Sequence, residues 1–281
     1  MDVKTKFRIK IKNNSELISS IENNEFIIFL QPKFDTIKEE VVGAEALVRK
    51  LKDGKIIMPN EFIPQYEKTG LITKLDTYVL EEVCKLQKKW RELNFPLLPI
   101  SINESRLHLK NKNHIQELQE IISRYDTDAN LIELEMTETT VVEDILVAKK
   151  AAEFVKKLGF IVSMDDFGTG YSAFNILKDI EIDILKIDKE FFKNLENNKR
   201  AQIIIETIIK MCKKLKIKTV AEGIETKEQV DFLKKVGCDI IQGYYFSKPI
   251  TISEFEEKYL IKRERGPSDF HIELHIKEIE E

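Results

Sequence analysis

From about Phe26 onward, short runs rich in β-branched residues alternate with stretches whose apolar residues recur at helical spacing. Sustained over about eight units, this alternation predicts a closed (β/α) barrel, because parallel strands of one sheet need helical crossovers between them. Strands are predicted at 26–31, 41–47, 97–102, 131–136, 160–165, 182–187, 217–222 and 239–243. Helices are predicted at 61–69, 74–93, 113–124, 141–157, 200–215, 226–236 and 252–260.

The first two predicted strands are joined by a charged loop that is too short for a helical crossover. We therefore expect this pair to run antiparallel, which gives an α/β fold: a modified TIM-like (β/α)8 barrel with one antiparallel strand near the start. No linker rich in proline or glycine interrupts residues 13–259, so we predict one domain. The predicted parts are an N-terminal extension at 1–14, the barrel at 15–260 and a C-terminal tail at 261–281.

The two ends of the chain share a pattern of alternating polar and apolar residues. Residues 6–12 carry basic side chains in this pattern, and residues 270–277 lead into an acidic end. As strands, the two segments could pair with complementary charge. Disordered or weakly helical tails fit the same pattern equally well, so both interpretations stay open.

Composition excludes several classes of function. With 45 basic and 49 acidic residues the formal net charge is −4, so no overall basic field attracts duplex nucleic acid or an anionic membrane. No apolar run is long enough to span a bilayer, and the first residues lack the hydrophobic segment of a signal peptide, so we expect a soluble cytoplasmic protein. The three cysteines form no CxxC pair, which favours reduced thiols over a zinc site or a disulfide framework.

Oxygen-bearing side chains stand at the ends of most predicted strands, with a single lysine among them. In a barrel of parallel strands these ends converge on one rim, which is where catalysis is found. Carboxylate and amide oxygens are the ligands of hard cations, and a pair of such cations can activate water and stabilise an in-line displacement at phosphorus. The residues concerned are Glu45, Asn103, Glu135, Asp165, Asp166, Lys186 and Glu222.

The adjacent pair Asp165-Asp166 suits a site with two cations, since one carboxylate can bridge while its neighbour reaches the second ion. Lys186 could orient the attacking water or stabilise charge that develops on the phosphoryl oxygens. The guanidinium group of Arg49 could donate paired hydrogen bonds to a non-reacting phosphate or to a guanine edge. Each acid taken alone fits a surface charge, and residues 165–170 alone fit a simple turn. The whole set together favours a site that handles phosphate.

Eight blocks of this sequence resemble the EAL-domain family of cyclic dimeric GMP phosphodiesterases, in the family's order and spacing, over about residues 15–260. The blocks are 31–33 (QPK), 45–49 (EALVR), 101–103 (SIN), 135–138 (EMTE), 165–172 (DDFGTGYS), 185–188 (LKID), 221–225 (AEGIE) and 242–249 (QGYYFSKP). The resemblance implies a bacterial second-messenger enzyme that converts cyclic di-GMP to linear 5′-pGpG by in-line attack of a metal-bound hydroxide.

The resemblance also implies two Mg²⁺ or Mn²⁺ ions per site and a homodimer. Glu45, Asn103, Glu135 and Asp165 would hold the first ion, and Asp165, Asp166 and Glu222 the second. Lys186 would contact the nucleophilic water and would act in catalysis with Glu45 and Glu222. The dinucleotide would be seated by Gln31, Leu47, Arg49 and Gln242, while Glu138 would brace the loop 166–172.

Departures from the family pattern are few. Asn103 is followed by Glu104 where the family usually has an aliphatic residue, so Glu104 could alter the charge near the ions or point away. Lys50 replaces a common tryptophan, and Tyr66 replaces a small residue. None of these changes removes an implied metal ligand.

Two other functions compete with the enzyme. A catalytically silent cyclic di-GMP receptor or protein-interaction module would usually lack part of the metal set or the loop-bracing glutamate, and this sequence has all of them. An unrelated barrel enzyme acting on sugar phosphates would require the eight blocks to match by accident. We therefore predict an active phosphodiesterase.

Overall fold

The computed structural model describes residues 15, 17–108, 111, 113–138, 145–168 and 173–261. Within these residues ten strands form one sheet, and eight of them close into a barrel in the order β1-β2-β4-β5-β6-β7-β8-β9 and back to β1. The strands are β1 (Phe26–Asp35), β2 (Val41–Lys52), β3 (Lys55–Ile57), β4 (Ile100–Asn103), β5 (Ile132–Thr137), β6 (Ile161–Phe167), β7 (Ile184–Ile187), β8 (Lys218–Ala221), β9 (Ile240–Ile241) and β10 (Ile250–Thr251).

The direction of β1 is opposite to that of the rest of the barrel. It pairs antiparallel with both β2 and β9, whereas the pairs from β2–β4 around to β8–β9 are all parallel. The predicted modified barrel is therefore confirmed. The short strands β3 and β10 were not predicted; they pair antiparallel with β2 and β1 outside the closed ring.

Helices cover the outside of the barrel. They are α1 (Pro59–Thr69), α2 (Ile72–Glu92), α3 (His114–Arg124), α4 (Ile145–Lys157), α5 (Ala173–Asp179), α6 (Lys199–Leu215), α7 (Lys227–Val236) and α8 (Ile252–Phe255), the last continuing as a π-helical turn over Glu256–Leu260. Each predicted helix has a counterpart, and α5 is an addition. Helix α2 is representative, because Leu75, Val79 and Trp90 lie at helical spacing and are buried against the strands.

Strand alternation separates the apolar layer from the polar interior of the barrel. On β5, Ile132 and Leu134 are buried in the main apolar cluster, while Glu133 and Glu135 occupy the alternate positions. In parallel register Asn103 of β4 lies opposite Glu135, and Thr137 lies opposite Asp165 of β6. The barrel thus brings acids from distant parts of the chain to one interior surface.

Some predictions concern the ends and the thiols. The proposed pairing of residues 6–12 with residues 270–277, and the tail itself beyond Ile261, lie outside the described residues. The three cysteines, Cys84, Cys212 and Cys238, are buried and free, as expected. In the described part of the chain, no helix combines the length and the hydropathy needed to cross a bilayer.

Candidate active site

Lys186 lies at the centre of a cluster of carboxylates inside the barrel. Its Nζ is 2.7 Å from Glu135 Oε2, 2.9 Å from Glu222 Oε1 and 3.2 Å from Asp165 Oδ1. Glu45 Oε2 lies 3.9 Å from the same nitrogen. These residues come from β2, β5, β6, β7 and the end of β8. The expected convergence of strand ends is therefore observed, with the lysine 1 % exposed.

The carboxylates keep Lys186 charged. Burial by itself would lower the pKa of the ammonium group, but the negative charges around it, Glu135 first, outweigh burial and raise that pKa well above its ordinary value. Lys186 is therefore a permanent hydrogen-bond donor and positive charge at neutral pH. It is not a general base.

The acids around Lys186 have different affinities for protons. Burial would raise the pKa of Glu135, but the charges of Lys186 and Lys33 lower it to about 2. Burial raises the pKa of Glu222 to about 8, and the negative charges of Asp165 and Glu45 add to this effect despite Lys186. Glu135 is thus a carboxylate throughout the neutral range, whereas Glu222 keeps its proton to a higher pH than an ordinary carboxyl group.

A bulge in β6 lies at the two adjacent aspartates, Asp165 and Asp166. The register with β7 shifts between Met164 and Phe167, and Asp166 has a left-handed φ of 56°. The backbone N–H of Asp166 donates to Asp165 Oδ1 at 2.9 Å. Burial first, and then the charge of Asp165, raise the pKa of Asp166 above its ordinary value. Strict alternation would have placed them on opposite faces of the sheet.

Amide side chains extend the cluster on the β1 and β2 side. Gln242 Nε2 donates to Glu45 Oε2 at 2.6 Å and to Gln31 Oε1 at 3.2 Å. Asn103 Nδ2 donates to Glu45 Oε1 at 3.1 Å. Glu45 is thus fixed at both oxygens, and burial raises its pKa above the ordinary value. Gln31, Asn103 and Gln242, which were predicted to act at this site, therefore contact one another or the central carboxylates.

Two further predicted residues, Leu47 and Arg49, follow Glu45 on β2. Leu47 and Asn103 border a cleft of about 520 Å³ between β2 and helices α1 and α2. Arg49, one step further along the inner face of β2, donates to the carbonyl of Val48 and lies over the Phe29 ring. Leu47 thus lies on the wall of this cleft, and Arg49 lies two residues further along the same strand.

Glu138 contacts the loop that follows β6. Its Oε2 accepts a hydrogen bond from the backbone N–H of Gly168 at 3.1 Å, and the glutamate is 1 % exposed. Gly168 has a φ of 96°, and a Cβ there would lie 2.3 Å from the Phe191 ring, so this position requires glycine. The rest of the loop, residues 169–172, lies outside the described residues.

The departures noted in the sequence have structural explanations. Glu104 points away from the carboxylate cluster, since its Oε1 contacts His114 Nε2 at the start of α3. Lys50 lies over the Phe26 ring and pairs with Glu25 at 3.6 Å. Tyr66 packs in the same aromatic cluster. None of the three contacts Lys186.

The donor set fits hard divalent cations. Among the described residues no three acidic, histidine or cysteine side chains converge at metal-ligand spacing, and four of the acids surround Lys186 instead. The donors are nevertheless carboxylate and amide oxygens, which Mg²⁺ and Mn²⁺ prefer. Five acids belong to the site: Glu45, Glu135, Asp165, Asp166 and Glu222. When all five are ionised, their charges and the positive charge of Lys186 sum to −4, which two divalent cations would balance.

Sequence reasoning assigned no role to one buried charged residue near the site. Lys33 Nζ lies 3.0 Å from Glu133 Oε2 and 3.3 Å from Glu135 Oε1. The signal that could have found it is strand alternation, since Lys33 stands two residues after Gln31 and Glu133 two before Glu135. Both lie on the interior face, next to the predicted residues along their strands.

These features define an α/β-barrel protein with an acidic, lysine-centred site at the carboxyl ends of its parallel strands. The family model described as "EAL domain" matches residues 14–249. The chain belongs to the EAL-domain family.

Signaling protein YkoW of Bacillus subtilis is 35 % identical over 250 residues, which are 88 % of this chain and 31 % of YkoW. Cyclic di-GMP phosphodiesterase NbdA of Pseudomonas aeruginosa is 31 % identical over 249 residues, covering 88 % of this chain and 32 % of NbdA.

Solved structures share the fold over nearly the whole barrel. The structure titled "PaMucR Phosphodiesterase, c-di-GMP complex" matches with a TM-score of 0.80 and 30 % identity, over 86 % of this chain and 98 % of that one. An EAL-domain protein from Listeria monocytogenes matches with a TM-score of 0.77 and 31 % identity, over 87 % of this chain and 96 % of that one. The chain spans about a third of the length of the curated relatives described above.

Proposed function

We propose that this chain hydrolyses cyclic di-GMP to the linear 5′-phosphorylated dinucleotide with the help of two divalent cations, Mg²⁺ or Mn²⁺. The observation that carries the proposal is the cluster of four carboxylates within 3.9 Å of the buried Lys186 Nζ. Supporting it, a relative of this chain is named a cyclic di-GMP phosphodiesterase, and a similar phosphodiesterase structure is titled as a complex with that nucleotide.

Different residues are assigned to metal binding, to catalysis and to substrate binding. One ion would be held by Glu45, Asn103, Glu135 and Asp165, and the other by Asp165, Asp166 and Glu222. When bound, the cations would lower the pKa of a water and polarise the phosphoryl oxygens. Lys186, which stays protonated, would donate hydrogen bonds that orient the attacking water and stabilise charge on the phosphoryl group. Gln31, Leu47, Arg49 and Gln242 would hold the dinucleotide so that the scissile phosphate faces Lys186.

A product assay tests the proposal directly. Purified protein is incubated with cyclic di-GMP and Mg²⁺ or Mn²⁺, and the linear product is followed chromatographically beside Glu45→Ala. We expect metal-dependent product from the wild type alone. Tight binding without product would favour the nucleotide-receptor function instead. Product from Glu45→Ala at the wild-type rate would show that the metal ligands are wrongly assigned.

Cation binding at pH 7 is expected to release about one proton from Glu222, because a ligand carboxylate must be ionised and its pKa is about 8 without metal. Raising the pH ionises Glu222 before binding, so the affinity for Mn²⁺ should increase up to about pH 8. Titration calorimetry in two buffers of different ionisation enthalpy measures the proton release. Glu222→Gln is the control, and it should release fewer protons. A binding heat that does not depend on the buffer would contradict the prediction.

Arg49→Ala is expected to raise KM for cyclic di-GMP about 10- to 100-fold, because hydrogen bonds to a charged partner contribute about 1.5–3 kcal/mol. Arg49 does not contact Lys186 among the described contacts, so kcat should change much less. Lys52→Ala, at the exposed end of the same strand, is the matched control and should leave both constants unchanged. A fall in kcat with an unchanged KM would show that Arg49 acts on the reacting phosphate instead.

A homodimer is part of the proposal. Leu146 and Phe154 on α4 and Phe174 on α5 are each more than half exposed, and the two helices are neighbours. Exposed apolar side chains on adjacent helices are typical of an interaction surface. Sedimentation of the purified protein tests this part, and a monomer at the assay concentration would contradict it.

A further inference from the structure

A second lysine lies beneath the carboxylate cluster. Lys33, on β1, is 3 % exposed. Its Nζ donates to Ser101 Oγ at 2.8 Å, to Glu133 Oε2 at 3.0 Å and to Glu135 Oε1 at 3.3 Å. An ammonium group has three N–H donors, and these three acceptors use all of them. The position of the group is therefore defined by β1, β4 and β5 together.

Ser101 links Lys33 to Glu135 a second time. It is fully buried, accepts from Lys33, and its hydroxyl contributes a hydrogen bond that lowers the pKa of Glu135. Glu135 consequently has each oxygen held by a different lysine, Oε1 by Lys33 and Oε2 by Lys186 at 2.7 Å. A carboxylate fixed at both oxygens cannot turn about its terminal bond without breaking a charged contact.

The need for a positive charge beside Glu133 does not explain all three hydrogen bonds that Lys33 donates. An ion pair with Glu133 needs only one of the three donors of Lys33, yet the other two go to Glu135 and to its hydrogen-bond partner Ser101. Burial would lower the pKa of Lys33, but the charges of Glu133 and Glu135 outweigh burial and raise it, so the group stays charged.

We propose that Lys33 is a positioning residue that, together with Ser101 and Glu133, sets the orientation in which Glu135 receives a divalent cation. This inference rests on the proposed function, in which Glu135 is a metal ligand. Glu133 balances the charge of Lys33, so the pair orients Glu135 without reducing the four formal negative charges that attract the cations. The groups that orient a metal ligand typically change metal affinity 10- to 100-fold when they are removed.

The decisive variant removes the pair without changing the net charge. In Lys33→Met/Glu133→Gln the local field on the cations is nearly unchanged, so a change in affinity reports orientation. We expect the dissociation constant for Mn²⁺, measured by electron paramagnetic resonance on metal-free protein without substrate, to rise about 10- to 100-fold. Lys50→Met/Glu25→Gln removes another buried lysine and its partner, away from the site, and should stay within about twofold of wild type.

A milder pair of variants covers the case in which the double variant does not fold. Ser101→Ala removes the hydroxyl between Lys33 and Glu135, and should weaken Mn²⁺ binding about fivefold, as for the loss of one buried hydrogen bond. Ser163→Ala is its matched control. Ser163 is equally buried and lies opposite Glu135 on β6, but its hydroxyl has no hydrogen-bond partner within the described residues. Its Mn²⁺ affinity should therefore be unchanged.

The possible outcomes distinguish a failure of the proposed metal site from a failure of the positioning role of Lys33. Wild-type protein that binds no Mn²⁺ would overturn the metal site and the role of Lys33 together. A different result would overturn the positioning role alone. In that case wild-type protein binds Mn²⁺, Ser101→Ala and Ser163→Ala have the same Mn²⁺ dissociation constant, and the dissociation constant of the folded double variant lies within about twofold of the wild-type value. Lys33 would then be a counter-ion for Glu133. Weaker binding in Ser101→Ala or in the folded double variant, with unchanged controls, supports the positioning role.

Discussion

Asp165→Asn is expected to lower kcat for cyclic di-GMP about a thousandfold while leaving the fold intact. Under the proposed function Asp165 is the only side chain assigned to both cations, so its negative charge contributes to the binding of each ion. Bound cations stabilise the transition state by several kcal/mol, and each 1.36 kcal/mol corresponds to a factor of ten in rate. A loss of about 4 kcal/mol gives the stated effect.

The structure explains why the asparagine variant should still fold. Asp165 Oδ1 accepts the backbone N–H of Asp166, and an amide oxygen can accept the same bond. Lys186 keeps Glu135, Glu222 and Glu45 as partners when the charge of Asp165 is lost. The bulge of β6 and the charge on the lysine should therefore both survive.

Three measurements on Asp165→Asn test this prediction. The rate of linear product gives kcat, thermal melting reports the fold, and Mn²⁺ titration reports the metal stoichiometry, which should fall with the activity. Asp231→Asn, on the exposed face of α7, is the control for loss of one negative charge. Near-normal turnover by folded Asp165→Asn would show that the two cations do not share this carboxylate.

The sequence predicted that these residues lie together because a parallel barrel fixes where strand ends lie. Glu45, Glu135 and Glu222 are far apart in the chain, yet each follows or closes an apolar run, and the topology alone brings these ends together. Lys186 was predicted to be among them. Its place at their centre depends on side-chain distances that no strand pattern contains.

What the sequence did not show depends on contacts between separate elements. Strand alternation places Lys33 on the interior face, but it cannot show which residue Lys33 contacts, and only the closed barrel brings Lys33 and Ser101 to Glu135. The direction of Glu104 is set by His114, which lies on the helix after the next loop. The bulge in β6 at Asp165 and Asp166 likewise breaks the period-two rule on which strand prediction relies.

Lys186→Met is expected to separate catalysis from metal binding. Its kcat should fall about 100- to 1000-fold, as for the loss of one donor to charge that develops in a transition state, and KM should change little. The cations should bind at least as tightly as in the wild type, because removing the central positive charge leaves the carboxylates more negative. Asp165→Asn, by contrast, should lose turnover and metal together.

The stability of the same variant depends on metal in a way that tests the arrangement around Lys186. Without cations, the buried Glu135 and Asp165 lose their shared counter-ion, and leaving buried charges without a partner costs about 3–5 kcal/mol. Saturating Mn²⁺ replaces that positive charge, so thermal melting should show a large loss without metal and recovery with it. Full stability without metal, or an unchanged kcat with metal, would mean that Lys186 neither balances these acids nor assists the reaction.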